Sequence, residues 1–324
     1  MNNYTVASVV LMISLTAHIG SASIPGDTTV AHWRNNAQGA FTMSFDDSME
    51  THATIGVPEL VKRGLVGTWF VNPALPRYLE NRTVWEEFAP DNNQELADHT
   101  MNHEGAASLE EADYEIGECA RTIWKLRDPA DSKLLAFARG GMTEWKVSKE
   151  QIQSIKDKYH CINRTSELSC KTSDGVRAPE MIAKVDQAVA EKRWVTVHFH
   201  GIGSQWLPID KDEFIKFLDY LAANNKIWSA GWVEAYQYKA ERDNAQVEVL
   251  ESSSNVIRLN LETGLDTNLY AEELTLMTRV PDDWAEVVVI QGKQSSVIQV
   301  SDGIAQFDAL PDRDEIVIRP GNRF

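Results

Sequence analysis

Between about residues 30 and 240 the apolar positions switch back and forth between two periods, and after residue 244 they keep only one. Phe41, Met43 and Phe45 alternate with Thr42 and Ser44, the period of a strand with one apolar face. Pro58 to Arg63 ahead of Gly64 predicts a helix closed by a glycine cap. Phe214 to Leu221 carries a helical apolar face and leads into a strand at Ile227 to Ala230. Strands alternating with helices in this way predict an α/β unit. From Asn244 onward Val247–Leu250, Val256–Leu259, Glu273–Leu276, Glu286–Ile290, Val297–Val300 and Ile316–Ile318 are short, β-rich and separated by turns. Their spacing predicts a small antiparallel sandwich-like domain of about 80 residues. Such a domain is either a carbohydrate-binding module or a structural add-on, and its fold alone does not decide which.

The chemistry gathers where the apolar alternation stops. Asp46 and Asp47 end the strand Phe41–Phe45, at the end where α/β sheets collect their catalytic groups. Neighbouring residues of an extended segment point in opposite directions, so one carboxylate can bind a metal while the other faces water or substrate. His99 and His103 are four residues apart, and in a helical turn they would share one face. Two imidazoles and one carboxylate with open positions form a known arrangement for a catalytic divalent metal. A second imidazole pair sits in Trp194-Val195-Thr196-Val197-His198-Phe199-His200-Gly201. Strand parity puts His198 and His200 on one face, and depth separates them. His200 lies at the carboxyl end, level with Asp46-Asp47, and His198 one layer down.

Ser44-Phe45-Asp46-Asp47-Ser48 and His99-Thr100-Met101-Asn102-His103 resemble the first two motifs, T-F-D-D-G and H-[ST]-x-x-H, of the NodB-homology polysaccharide deacetylases, carbohydrate esterase family four. Gly67-Thr68-Trp69-Phe70-Val71 is similar to the family's A-T-F-F-V strand, and the resemblance runs from about Ala40 to Tyr238. It implies an incomplete (β/α) barrel over residues 24–243, followed by the β-rich domain at 244–324. It also implies that Asp46 is the general base, that Asp47, His99 and His103 hold the metal, and that His200 is the general acid. The third motif, R-x-P-P-x-G, has its nearest counterpart in Phe137-Ala138-Arg139-Gly140-Gly141, which lacks the prolines. Arg139 is accordingly expected either beside Asp46, holding it ionised, or as an ordinary loop arginine. The implied activity is hydrolysis of N- or O-linked acetyl groups on a polysaccharide, with water activated at Zn²⁺ or at Co²⁺, Ni²⁺ or Mn²⁺. The alternatives are a non-catalytic glycan-binding relative, for which Ser48 and the missing prolines speak, and a metal hydrolase of another acyl or amide bond.

Composition narrows the partners. The 324-residue chain has a formal net charge of −17, which argues against nucleic acid, because phosphate binding needs clustered Lys and Arg. Val6 to Ala17 is apolar but too short to span a bilayer, and Gly20-Ser21-Ala22-Ser23 supplies small residues for cleavage. Residues 1–23 therefore read as an export signal, giving a secreted or periplasmic protein with no membrane span in its mature chain. Of three cysteines, Cys161 and Cys170 bracket a polar loop and are candidates to pair in an oxidising compartment, with Cys119 as a buried apolar residue. That loop includes Asn163-Arg164-Thr165, which fits a glycosylation sequon. Among the 10 tryptophans Trp206, just past His200, is the best candidate to stack on a sugar ring.

Overall fold

The computed structural model describes residues 24–140, 145–172 and 175–321, so the expected export signal lies outside the described residues. The chain runs β1 (Thr28–Val30), β2 (Gly39–Asp46), a π-helical turn (His52–Gly56), α1 (Val57–Val61), β3 (Thr68–Val71), α2 (Pro76–Leu79), a second π-helical turn (Val84–Phe88) and α3 (Ala89–Asp91). It continues through β4 (Glu95–Asp98), α4 (Leu109–Trp124), β5 (Leu135–Phe137), α5 (Lys149–Lys158), β6 (Cys161–Asn163), β7 (Leu168–Lys171), α6 (Ala178–Glu191), β8 (Trp194–Phe199), α7 (Lys211–Ala223), β9 (Ile227–Ser229) and α8 (Trp232–Asn244). Seven strands then follow: β10 (Gln246–Ser252), β11 (Ile257–Glu262), β12 (Leu274–Arg279), β13 (Glu286–Gln291), β14 (Gln294–Gln299), β15 (Ile304–Ala309) and β16 (Ile316–Pro320).

The first sheet is parallel, in the order β6-β5-β4-β3-β2-β8-β7, and curls through 214° into the incomplete barrel expected from the sequence. β9 pairs with Gly39–Phe41 of β2, and β3 takes over the same strand at Ser44–Asp46. Alternation along β2 sorts its side chains onto two faces. Phe41, Met43 and Phe45 join Trp69, Val71, Val197 and Phe199 in a core covered by Leu60, Ile116, Met181, Val185 and Phe214. On the concave face Ala40, Phe70, Ala97, Ala136 and Trp194 pack instead on Trp232 and Tyr238 of α8, and that core continues into the β-rich domain through Ile257, Leu259 and Leu276.

Helix α8 therefore plugs the barrel from below. Its first N–H groups reach into the sheet: Trp232 donates to Thr68 Oγ1 (2.9 Å) and Glu95 Oε1 (3.0 Å), and Val233 donates to Glu95 Oε2 (2.9 Å). A carboxylate at a helix amino terminus satisfies free donors and complements the dipole. Burial pushes the Glu95 carboxyl up to about 7, against the pull of Arg127 and of these donors. Above the plug the inward polar residues satisfy one another. Thr42 and Thr196 share a hydroxyl hydrogen bond of 2.6 Å, Trp194 Nε1 donates to Thr42 (3.1 Å), and Ser44 Oγ lies 2.6 Å from His198 Nδ1.

The C-terminal strands form antiparallel sheets of order β10-β11-β16-β13-β14 and β1-β12-β15. Two features depart from expectation. β15 is absent from the expected strands, because Phe307 is the one large apolar residue on its buried face, flanked there by Ala305 and Ala309. β1 pairs Thr28–Val30 with Thr278–Leu276, so the expected unit of residues 24–243 gives its first strand to the C-terminal sheet. Of the two outcomes left open for Cys161 and Cys170 the structure has the unpaired one: both thiols are free, on β6 and β7 at opposite edges of the parallel sheet. Among the described residues no helix is long and apolar enough to cross a membrane.

Candidate active site

Asp46 is the last residue of β2 and continues its inward-facing row, Thr42, Ser44, Asp46. The chain then turns sharply, with φ of 83° at Asp47 and 48° at Ser48. Left-handed backbone costs a non-glycine residue roughly 1–2 kcal/mol. Ser48 stands where the resembled motif has glycine, and its Oγ accepts the Asn72 N–H (2.9 Å), which offsets part of that strain.

His99 and His103 are not on a helical turn, contrary to the simplest reading of their spacing. They sit on an irregular loop after β4, with φ of 71° at Thr100 and 56° at His103. Its backbone is tied down on several sides. Thr100 N–H donates to Asp98 Oδ1 (2.8 Å), and Asn72 Nδ2 donates to the carbonyls of His99 (2.7 Å) and Thr100 (3.1 Å). Glu115 of α4 accepts from Asn102 N (2.9 Å) and Nδ2 (2.8 Å). Gly140 closes the pocket. A Cβ there would collide with the His99 carbonyl and lie 2.7 Å from His103 Cδ2.

These restraints bring one atom each of Asp47, His99 and His103 within 4.8 Å of one another. Asp47 Oδ1 is 3.0 Å from His103 Nε2, 3.4 Å from His99 Nε2 and 3.6 Å from Arg77 Nη2. It is nevertheless buried without a hydrogen bond of good geometry. His99 Nδ1 donates to the Ala138 carbonyl (2.7 Å), so in the neutral ring Nε2 carries the lone pair and points at the cluster. An imidazole held by its other nitrogen, facing a carboxylate oxygen that has ion-pair neighbours but no hydrogen bond of good geometry, fits a divalent cation. Burial disfavours the charge on Asp47, yet the imidazoles of His103 and His99 hold its carboxyl far below the usual range. Burial also opposes a charge on His99, and the carboxylates of Asp46 and Asp47 override it and raise its pKa.

The cation beside Asp46 is Arg164, not Arg139. Arg164 Nη1 donates to Asp46 Oδ1, and the guanidinium lies 4.7 Å over the Phe70 ring. Arg139 is exposed at the end of β5. Residues 164–167 link β6 to β7, the two edges of the open barrel, and this short link delivers Arg164 to the concave side. In the sequence this position read only as part of a sequon. Burial opposes ionisation of Asp46, but Arg164, and after it His99, hold its carboxyl below the usual range.

Pairing of Ser44 with His198 and Phe45 with Phe199 places His200 level with Asp46 on the same face. His198, one layer down and bound to Ser44, is pushed to about 4 by burial, with Arg164 adding to the effect. Trp206 projects from the loop after β8, 65% exposed. Other tryptophans of this region are structural. Trp69 stacks on Phe45 at 4.1 Å, Trp232 packs on Trp194 at 5.1 Å, and Trp145 Nε1 donates to the Gly140 carbonyl (3.0 Å).

No family model matches this sequence. A gellan lyase from a Bacillus species is 22% identical over 332 residues, covering 91% of this chain and 13% of that protein. The chain thus spans about one eighth of the length of this curated relative. Among solved structures, a peptidoglycan N-acetylglucosamine deacetylase is 14% identical with a TM-score of 0.46, covering 62% of this chain and 89% of that one. A family 4 acetyl xylan esterase from Clostridium thermocellum, in complex with cobalt, is 15% identical with a TM-score of 0.45, over 61% of this chain and 90% of that one. A family 4 pseudoenzyme from Bacillus anthracis is 13% identical with a TM-score of 0.43, over 61% of this chain and 65% of that one.

Proposed function

We propose that this chain is an exported, divalent-metal-dependent hydrolase that removes N- or O-linked acetyl groups from a polysaccharide. The observation that carries the reading is a carboxylate, Asp46, with its own arginine, set beside a separate triad of Asp47, His99 and His103. A glycan-binding protein has no need of a base next to a metal site. Asp47, His99 and His103 would hold the ion, which would supply a water of lowered pKa and a Lewis acid for the acetyl carbonyl. Asp46, kept ionised by Arg164, takes the proton from the attacking water. His200, facing Asp46 from the neighbouring strand, donates a proton to the departing sugar nitrogen or oxygen. Each proton transfer is worth roughly 10²–10⁴-fold. Trp206 offers a face to a sugar ring beside the reacting group.

The deciding experiment measures acetate release from a panel of acetylated oligosaccharides by metal-loaded protein, Asp46→Ala and chelator-treated protein. Release that vanishes in both controls is expected, and the responding sugar identifies amide or ester cleavage. No release from any substrate, with metal bound stoichiometrically, overturns the reading. Export rests on the apolar stretch Val6 to Ala17 and its small-residue flank. Mass spectrometry of protein recovered outside the cytoplasm should find a new amino terminus after Ala22 or Ser23.

A further inference from the structure

Asp46 and His200 stand at the mouths of two loops far apart in sequence, and two residues whose roles the site has not yet used join those loops. Thr51 N and Oγ1 both donate to Gln205 Oε1 (3.1 and 3.0 Å), and Thr51 Oγ1 accepts the Ile202 N–H (3.2 Å). His52, next in the chain, is 1% exposed and has both ring nitrogens assigned by their partners. Nδ1 accepts the Met49 N–H (3.2 Å), so Nε2 carries the proton and donates to the His200 carbonyl (2.6 Å). Phe45 and Trp69 hold the ring from two sides at 5.4 and 5.6 Å.

The clasped loop needs such support. Gly203, Gln205 and Leu207 have φ of 73°, 74° and 44°, and Trp206 stands exposed among them. Backbone bonds from Gly201 N to the Trp206 carbonyl (2.8 Å) and from Ile209 N to the Gly201 carbonyl (2.9 Å) shape the loop internally. They do not fix it against the Asp46 side. That anchoring comes from Thr51 and His52, five and six residues beyond Asp46 on the same strand-end segment.

We infer that His52 and Thr51 are positioning residues with separate tasks: His52 sets the His200 imidazole against Asp46, and Thr51 sets the Gln205–Trp206 tip as the glycan-binding edge. This rests on the hydrolase reading above. Misplacing a reacting group by about 1 Å can cost about 10²-fold in rate. His52→Leu should therefore lower kcat by about 10²-fold with little change in KM, and His52→Gln, which keeps a side-chain N–H donor, should recover most of it. Thr51→Val should raise KM more than it lowers kcat. Gln205→Ala, which cuts the same latch from an exposed residue without touching the core, should reproduce the Thr51→Val pattern. The test combines this kcat and KM split with histidine-edited NMR of His200 and with calorimetric binding of a deacetylated oligosaccharide to chelator-treated protein. A shifted His200 resonance is expected in His52→Leu and not in Gln205→Ala, and weakened oligosaccharide binding the reverse. If His52→Leu does not fold, His52→Asn, whose shorter amide cannot reach the His200 carbonyl, takes its place and is compared with Gln205→Ala in kcat and in the His200 resonance. The inference is overturned if folded variants alter kcat and KM in equal proportion, or if His200 does not respond to its neighbour. Wild-type protein that binds oligosaccharide through the Gln205 tip but releases no acetate would sink the hydrolase reading instead, leaving the loop anchoring intact.

Discussion

Replacing Arg164 by methionine keeps most of the volume beside Asp46 and removes the charge. The pair is shielded, with 8% of the Asp46 side chain and 21% of the Arg164 side chain exposed. Breaking a buried ion pair from one side costs about 3–5 kcal/mol, because the surviving charge is left uncompensated. The partial exposure of Arg164 places this variant at the lower end, near 3 kcal/mol, a value that includes its lost contact with Phe70. The sign with pH follows from the depressed Asp46 pKa, which burial opposes and Arg164 enforces. The pair stabilises the fold fully above the unfolded carboxylate pKa of about 4, and that contribution is lost as pH falls through the lower folded value. Urea denaturation of chelator-treated protein should therefore show the widest gap between wild type and Arg164→Met near pH 7. The gap should narrow toward acid, where the variant's unpaired carboxyl is protonated. Arg139→Met is the control, and at an exposed loop position it should stay within about 0.5 kcal/mol of wild type. Equal losses from both variants, or a gap that does not change with pH, would refute the assignment of Arg164 as the partner of Asp46.

Gly140→Ala should displace the His99–His103 loop and weaken Zn²⁺ binding by roughly 10–100-fold in calorimetric titration, as supporting-shell changes do. Unchanged affinity would mean that the loop yields without moving its imidazoles. His198, held neutral with a pKa near 4, contributes stability that is present above its unfolded pKa of 6.5 and lost as pH falls toward 4. His198→Asn should flatten the stability profile across that window by no more than about 3 kcal/mol, and an unaltered slope would contradict the buried neutral ring. Thiol titration of denatured, unreduced protein should find all three cysteines free, and a count of one would restore the Cys161–Cys170 disulfide.

What the sequence determined by itself is what a few consecutive residues encode. The alternation Phe41, Met43, Phe45 committed β2 to one buried apolar face, and the abrupt Asp46-Asp47 marked its carboxyl end. Strand parity and depth set His200 level with Asp46 and His198 one layer down, and the short β-rich segments after residue 244 announced antiparallel sheets. The tertiary structure decided whatever depends on closing loops over long separations. Arg164 meets Asp46 across 118 positions because residues 164–167 bridge the two edges of an incomplete barrel, and nothing near Arg164 in sequence signals that approach. The strand order puts Cys161 and Cys170 on opposite edges of that sheet, although only eight residues separate them in sequence. The loop that carries His99 and His103 is shaped by Asn72, Glu115 and Gly140 rather than by a helical period, so their four-residue spacing brings the two imidazoles together without the helical turn it suggested. Thr28–Val30 joins a sheet formed some 250 residues later because edge pairing rewards any strand that reaches it, whatever its place in the chain. Periodicity is a local property, whereas charge pairing and strand partnership are settled only when distant segments pack.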